Sequence, residues 1–137
     1  MGDPRARRAI GGRIDGYDTT AASLVHPDAT IGPDTEHGPG LVAFAGARVT
    51  TNVTLGRHVH LNQNCTVGHD SSLADYVSVN PLAAVSGDCH LAEGVLIGTT
   101  AAVLQGLRVG RDSTVGAGAC VVRDVADQVT VKGVPAR

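Results

Sequence analysis

Every sixth residue from Val25 to Val121 is Val, Ile or Leu at fifteen of seventeen positions, and only His37 and Ala43 break the series. Four residues beyond each of these stands a second small or apolar residue, as in Ala29, Val53, Cys65, Ser71, Ala83 and Cys89. Internal repetition outranks other signals, because one repeated unit fixes the whole architecture. A period of six fits neither a helix of 3.6 residues per turn nor a long two-residue alternation; it fits one short strand followed by one turn. Three such units close a triangular coil of eighteen residues, and stacked coils join through parallel strand hydrogen bonds. The aliphatic residue then points inward from a flat side, and the small residue fills a corner. Seventeen hexads make nearly six coils. Gly or Asn often follows the aliphatic residue, as in Gly32, Gly56, Asn62, Gly68, Asn80 and Gly98. These residue types tolerate unusual backbone angles, so this position is expected to carry the turn.

Composition agrees with narrow, regular layers. The 137 residues contain two Tyr, one Phe and no Trp, so the core must be built from many small side chains. One domain is the expected count at this length. Residues 25–125 form the coils, 1–24 an N-terminal extension in which RARRAI reads as a short helix, and 126–137 a tail that folds back on the coil end. A formal net charge of -2 argues against binding to phosphate backbones, so no nucleic-acid partner is expected. No stretch approaches the roughly 18 apolar residues of a membrane span, and no apolar segment follows Arg5, Arg7 and Arg8. The chain therefore reads as cytoplasmic with no membrane partner. Cys65, Cys89 and Cys120 have no CxxC spacing, which favours free thiols over disulfides or a metal site.

The units IGPDTE, VGRDST and VGAGAC resemble the hexapeptide-repeat superfamily, whose triangular coils are left-handed against the usual rule for parallel crossovers. The fold class expected is thus an all-β, left-handed parallel β-helix. That superfamily includes acyltransferases, zinc carbonic anhydrases and structural caps, so the site must decide function. Three stretches narrow the likeness: LVHPDATIG at the first coil, LNQNCTVGHDSSLADYVSV in the middle and VTVKGVPAR at the end. Together they resemble the sialic-acid O-acetyltransferases and the bacillosamine-pathway N-acetyltransferases, which acetylate sugars or nucleotide-linked amino sugars with acetyl-CoA.

The resemblance implies a homotrimer that uses acetyl-CoA as co-substrate, needs no metal and acts on a small-molecule acceptor. In that family a His followed by an acidic residue supplies the general base, which matches His69 and Asp70. An amine or hydroxyl attacks a thioester poorly until its proton is removed, and an imidazole suits that task. Eighteen residues on from His69 stands Gly87, expected directly above it, where a bare backbone N–H is available to a developing oxyanion. By itself His69 would read as a solvent-facing residue on a turn. Asn62 matches a family site position, though a turn preference explains it equally well. The resemblance also assigns Thr99 and Ala117 to the pantetheine arm and Lys132, with Arg137, to the cofactor phosphates.

Two departures stand out. The family often has a second His nine residues after the first, where this chain has Ser78. Its N-terminal nucleotide-binding domain is matched only by GDPRARRAI, similar to that domain's closing part, so the chain is expected to lack most of it. Two rival readings remain. A carbonic anhydrase would need a His-x4-His step, but no two of the six histidines are five or eighteen apart. A non-catalytic trimeric scaffold is the other alternative.

Overall fold

A computed structural model describes residues 3–137 as a triangular parallel β-helix of about six coils with one helix packed on its side. Eighteen two-residue strands, β1 (Leu24–Val25) to β18 (Thr130–Val131), lie on three faces, dealt in turn up to β17, with β18 returning to the first. The first face carries seven strands, the second six and the third five. Within a face each residue pairs with the one eighteen further on, as Leu61 does with Val79 and Val85 with Val103. Backbone bonds continue the ladder through the corners, for example from Asp88 N to His69 O at 2.7 Å.

The second residue of each strand points inward. Leu55, Leu61, Val67, Leu73, Val79, Val85, Leu91, Ile97 and Val103 are at most 2% exposed, and the small residues four positions on, such as Cys65, Ala83 and Cys89, fill the corners beside them. Each coil roofs the one below it, which explains why aliphatic side chains without aromatics suffice for the core. The first coil has nothing beneath it, so Val25 remains 45% exposed and His37 at an inward position is exposed.

The left-handed backbone does not fall where the sequence placed it. Positive φ occurs two residues later, at the fourth position of the hexad, in Asn52, Asn64, Asp70, Asp88 and Thr100 among others. The glycines that directly follow the aliphatic residue serve a steric purpose instead. A Cβ on Gly98 would stand 2.6 Å from the Ala117 amide nitrogen of the next coil, and one on Gly68 would run into the Gly87 amide. Close approach of neighbouring coils, not a turn angle, excludes a side chain there.

The last coil is shortened. Thr114 pairs with Thr130 and Val109 with Val125, both sixteen residues on rather than eighteen. The chain then folds back over the coil end: Cys120 N donates to Gly133 O, Ala136 N donates to Cys120 O, and Ala136 is buried.

Helix α1 (Pro4–Ile14) begins with Asp3 accepting a bond from Arg5 N at 2.9 Å and Pro4 in the first turn. Arginines, not an apolar stripe, hold it to the coil. Arg7 donates to Ser78 Oγ at 2.8 Å and to Tyr76 O at 2.6 Å, while Arg8 meets Asp112 at 2.6 Å and Glu93 at 3.0 Å. Gly11 lies against Tyr76, whose hydroxyl would stand 2.7 Å from any Cβ there.

Leu61 sits mid-column and is fully enclosed. Leu61→Ala is expected to lower unfolding free energy by about 2–5 kcal/mol, read from the shift in denaturant midpoint. A shift worth less than about 1 kcal/mol would contradict a close-packed column at that level.

Candidate active site

The corner between the second and third faces brings together His69, Asp70 and Gly87. His69 and Asp70 form the turn between β8 (Thr66–Val67) and β9 (Ser72–Leu73), the left-handed φ of Asp70 letting the two side chains meet. His69 Nδ1 lies 2.6 Å from Asp70 Oδ2. Gly87 is buried one coil above, and a Cβ on it would stand 2.6 Å from His69 Nε2. The imidazole thus lies across a space that only glycine leaves open. The Gly87 N–H makes no hydrogen bond among the described residues, while its carbonyl accepts from Gly106 N at 3.0 Å.

A fourth member was not singled out from the sequence. Asn52 stands one coil below Asp70, and its Nδ2 donates to Asp70 Oδ1 at 2.6 Å. Subtracting eighteen from Asp70 would have found it, because the stacking rule works downward as well as upward. The bonds from His69 and then Asn52 hold the Asp70 carboxyl below its usual range. An ionised Asp70 is acceptor-only, so the proton in the 2.6 Å contact belongs to His69 Nδ1. The other ring nitrogen, Nε2, faces the space that the absent Gly87 side chain leaves.

The other residues do not lie at this corner. Asn62, Thr99 and Ala117 occupy the corner between the first and second faces, on successively later coils, and the exposed Lys132 follows β18 on the same column. The Lys132 Cγ packs 3.2 Å from where a Gly116 Cβ would be, next to Ala117. Within one chain the two groups stand on opposite edges of the second face. Asn62 is not among the residues with positive φ, which removes the turn explanation for it; its Nδ2 donates instead to Val79 O at 3.0 Å.

Ser78 is fully buried on the first face, its hydroxyl accepting from Arg7, and so holds α1 rather than approaching His69. The Cys65 thiol, enclosed in the core, is pushed up to about 12 by burial, and burial also raises Cys89, so neither offers a ready thiolate. Among the described residues no three His, Cys, Asp or Glu side chains gather in a metal-binding group, and no helix is long and apolar enough to cross a membrane.

No protein-family model and no curated protein matches the chain. Solved structures do. A mutant form of perosamine N-acetyltransferase from Caulobacter crescentus, in complex with CoA and GDP-perosamine, is 31% identical at a TM-score of 0.97, covering 100% of this chain and 65% of that one. The acetyltransferase domain of PglB from Neisseria gonorrhoeae is 38% identical at 0.97, covering 100% of this chain and 67% of that one. WeeI from Acinetobacter baumannii is 27% identical at 0.96, with 100% and 67% covered. The fold and these likenesses define a hexapeptide-repeat protein with left-handed coils. The chain belongs to the hexapeptide-repeat acetyltransferase family, and it spans about two thirds of the length of these solved chains.

Asn52→Ala removes a donor to the charged form of Asp70, so the Asp70 carboxyl should titrate at higher pH than in the parent. Carboxyl-carbon NMR across the acid range reads this directly. An unmoved titration would separate Asn52 from the pair.

Proposed function

We propose that the protein is an acyltransferase that moves the acetyl group of acetyl-CoA to an amine or hydroxyl of a sugar or nucleotide-linked amino sugar. The observation that carries this reading is the His69 imidazole, oriented by Asp70 and set under Gly87 with Nε2 against the space that the absent Gly87 side chain leaves. Similarity to amino-sugar N-acetyltransferases solved with CoA supports the same chemistry.

In the proposed reaction the acceptor's nitrogen or oxygen attacks the acetyl carbonyl carbon and its proton passes to His69 Nε2. Asp70, already held ionised, favours the imidazolium that results. The Gly87 N–H, having no acceptor among the described residues, donates to the oxygen as it gains negative charge. Collapse breaks the carbon–sulfur bond, and the departing thiolate takes the proton from the imidazolium. No acyl-enzyme is involved.

The acting unit in this reading is a homotrimer, for a geometric reason. His69 and Gly87 flank one edge of the second face, whereas Asn62, Thr99 and Ala117 flank the other. Three columns packed around a common axis with their second faces inward would set one chain's His69 edge against the next chain's Asn62 edge. Such a head-to-tail contact closes after three copies. The middle and later coils of the second face suit the role: their outward residues Thr66, Ala84 and Ala102 are small, and exposed apolar Leu82, Leu104 and Val122 border them. Acetyl-CoA would lie along the later coils of that cleft, with Thr99 and Ala117 offering backbone groups to the pantetheine arm and Lys132 meeting the phosphates. These three residues fit a cofactor approaching from solvent, since all are exposed. A cytoplasmic location accords with a supply of acetyl-CoA.

His69→Ala should leave mass and fold unchanged while cutting acceptor-dependent release of CoA thiol by roughly 10²-fold or more. Gly87→Ala should also lose turnover, because the added methyl displaces the ring while every titratable group remains. CoA should raise the melting temperature of the parent and of both variants, as a ligand of the folded state does. Undiminished turnover in His69→Ala would end the proposal, and absence of any CoA effect would favour a scaffold.

A further inference from the structure

The acetyltransferase reading accounts for the upper part of the cleft and leaves its lower part unassigned. A cavity of about 590 Å³ opens there, at the corner between the first and second faces of the early coils, lined by Asp28, Thr30, Arg48, Gln63 and Asn64 among others. Its position along the column is set by the coil rise of about 5 Å per eighteen residues. Gln63 and Asn64 lie on the coil that carries His69, Arg48 one coil below, and Asp28 about two coils below. Thr99 and Ala117, by contrast, lie two and three coils above Gln63 on the same corner. With the cofactor on the later coils of this corner, an acceptor that must reach the neighbouring column's His69 from the other direction passes over this cavity. The span from Gln63 down to Asp28 is about 10 Å, the size of a hexose with one attached acidic group.

Arg48 gives the cavity its chemical character. Its guanidinium is exposed and its Nη1 donates to the main-chain carbonyls of Asp28 and Ala47, yet no carboxylate among the described residues lies within ion-pair distance. The Asp28 carboxylate is turned the other way, its Oδ2 being 3.8 Å from His26 Nδ1. A planar guanidinium braced by carbonyls but lacking a counter-charge is matched by a phosphate or carboxylate, which it can grip with two parallel bonds. Gln63 and Asn64 add amide groups that can bond sugar hydroxyls without regard to charge.

Resting on the acetyltransferase reading, we propose that Arg48 is the acceptor's anion anchor: the acceptor carries a phosphate or carboxylate that Arg48 binds in this cavity, one coil below the His69 level. The anion has two sources, the diphosphate of a nucleotide-linked amino sugar or the carboxylate of an acidic sugar. GDP-perosamine and N-acetylneuraminate represent them, and glucosamine serves as an acceptor with no acidic group.

The test measures acetyl transfer to these three compounds by the full chain and by Arg48→Ala and Arg48→Lys, together with the melting shift caused by CoA. One acidic compound should be the preferred acceptor, and which one identifies the source. Arg48→Ala should raise its KM by about tenfold or more with kcat little changed, Arg48→Lys should recover part of the loss, and the CoA shift should be the same in all three proteins. A KM within twofold of the parent in Arg48→Ala would overturn the anchor while leaving the enzyme reading intact, since turnover would continue and still depend on His69. Preference for glucosamine over both acidic compounds would overturn it too. If no compound is acetylated and CoA gives no shift, the enzyme reading falls and the anchor with it; if CoA binds but none of the three is acetylated, the anchor alone is overturned.

Discussion

The structure depends on parallel backbone hydrogen bonding between residues eighteen apart. Each strand contributes only two residues, too few to be stable alone, and the ladder through strands and corners compensates by being continuous from the first coil to the last. One consequence is that a residue's neighbours are set by its number: whatever stands at a corner has the residues eighteen before and after it as its nearest partners. Stacking places His69 under Gly87 and Asp70 above Asn52, so that three coils separated in sequence build one polar group. The same stacking excludes side chains where coils approach most closely, which is why Gly68 and Gly98 recur after the aliphatic residue.

Much of this is legible in the residues themselves. The aliphatic ladder defines the faces, the corners and the level of every residue, because a single inward position per hexad is an unambiguous signal. The Gly87 contact follows from the same rule. Asn52 follows from it equally, but it stands one coil below and bonds the Asp70 carboxylate rather than the imidazole, so nothing about His69 itself points to it. The position of positive φ is less legible because Gly and Asn are associated with left-handed backbone, whereas here the glycine directly after the aliphatic residue answers a steric demand and the left-handed angle falls two residues later, on Asp, Asn, His and even Leu82 as well as on Gly40, Gly46 and Gly94. From Asp34 to Gly118 the fourth position of every hexad carries that angle, whatever its residue.

The ends are harder to read. Periodicity stops being informative where coils lose a neighbour, so the sixteen-residue offset of the last coil has no sequence signal beyond the failure of the pattern. Helix α1 is held by buried and half-buried guanidinium groups, and such contacts leave no apolar stripe in the sequence to reveal which side faces the coil. Burial lowers the Arg7 pKa, a cost offset by the carbonyl and hydroxyl oxygens that surround its charge. Ser78, the position at which the resembled enzymes often have His, is one of those oxygens, so its identity belongs to the attachment of the helix.

The distribution of the candidate residues carries a last implication. In the proposed reading, one column would offer a proton-accepting edge at His69 and a cofactor-binding edge at Thr99 and Ala117, but the second face keeps them apart, so no rearrangement of side chains within a single chain unites them. A rigid column cannot fold around a ligand as a loop or lid would, because bending it would break ladder bonds along its whole length. In the proposed reading, binding and catalysis would meet across a boundary between columns, where the exposed small and apolar residues bordering the second face favour close packing. On that account the regularity that makes the fold stable would also prevent it from making a complete site alone, and assembly would supply the concavity that the coil surface lacks.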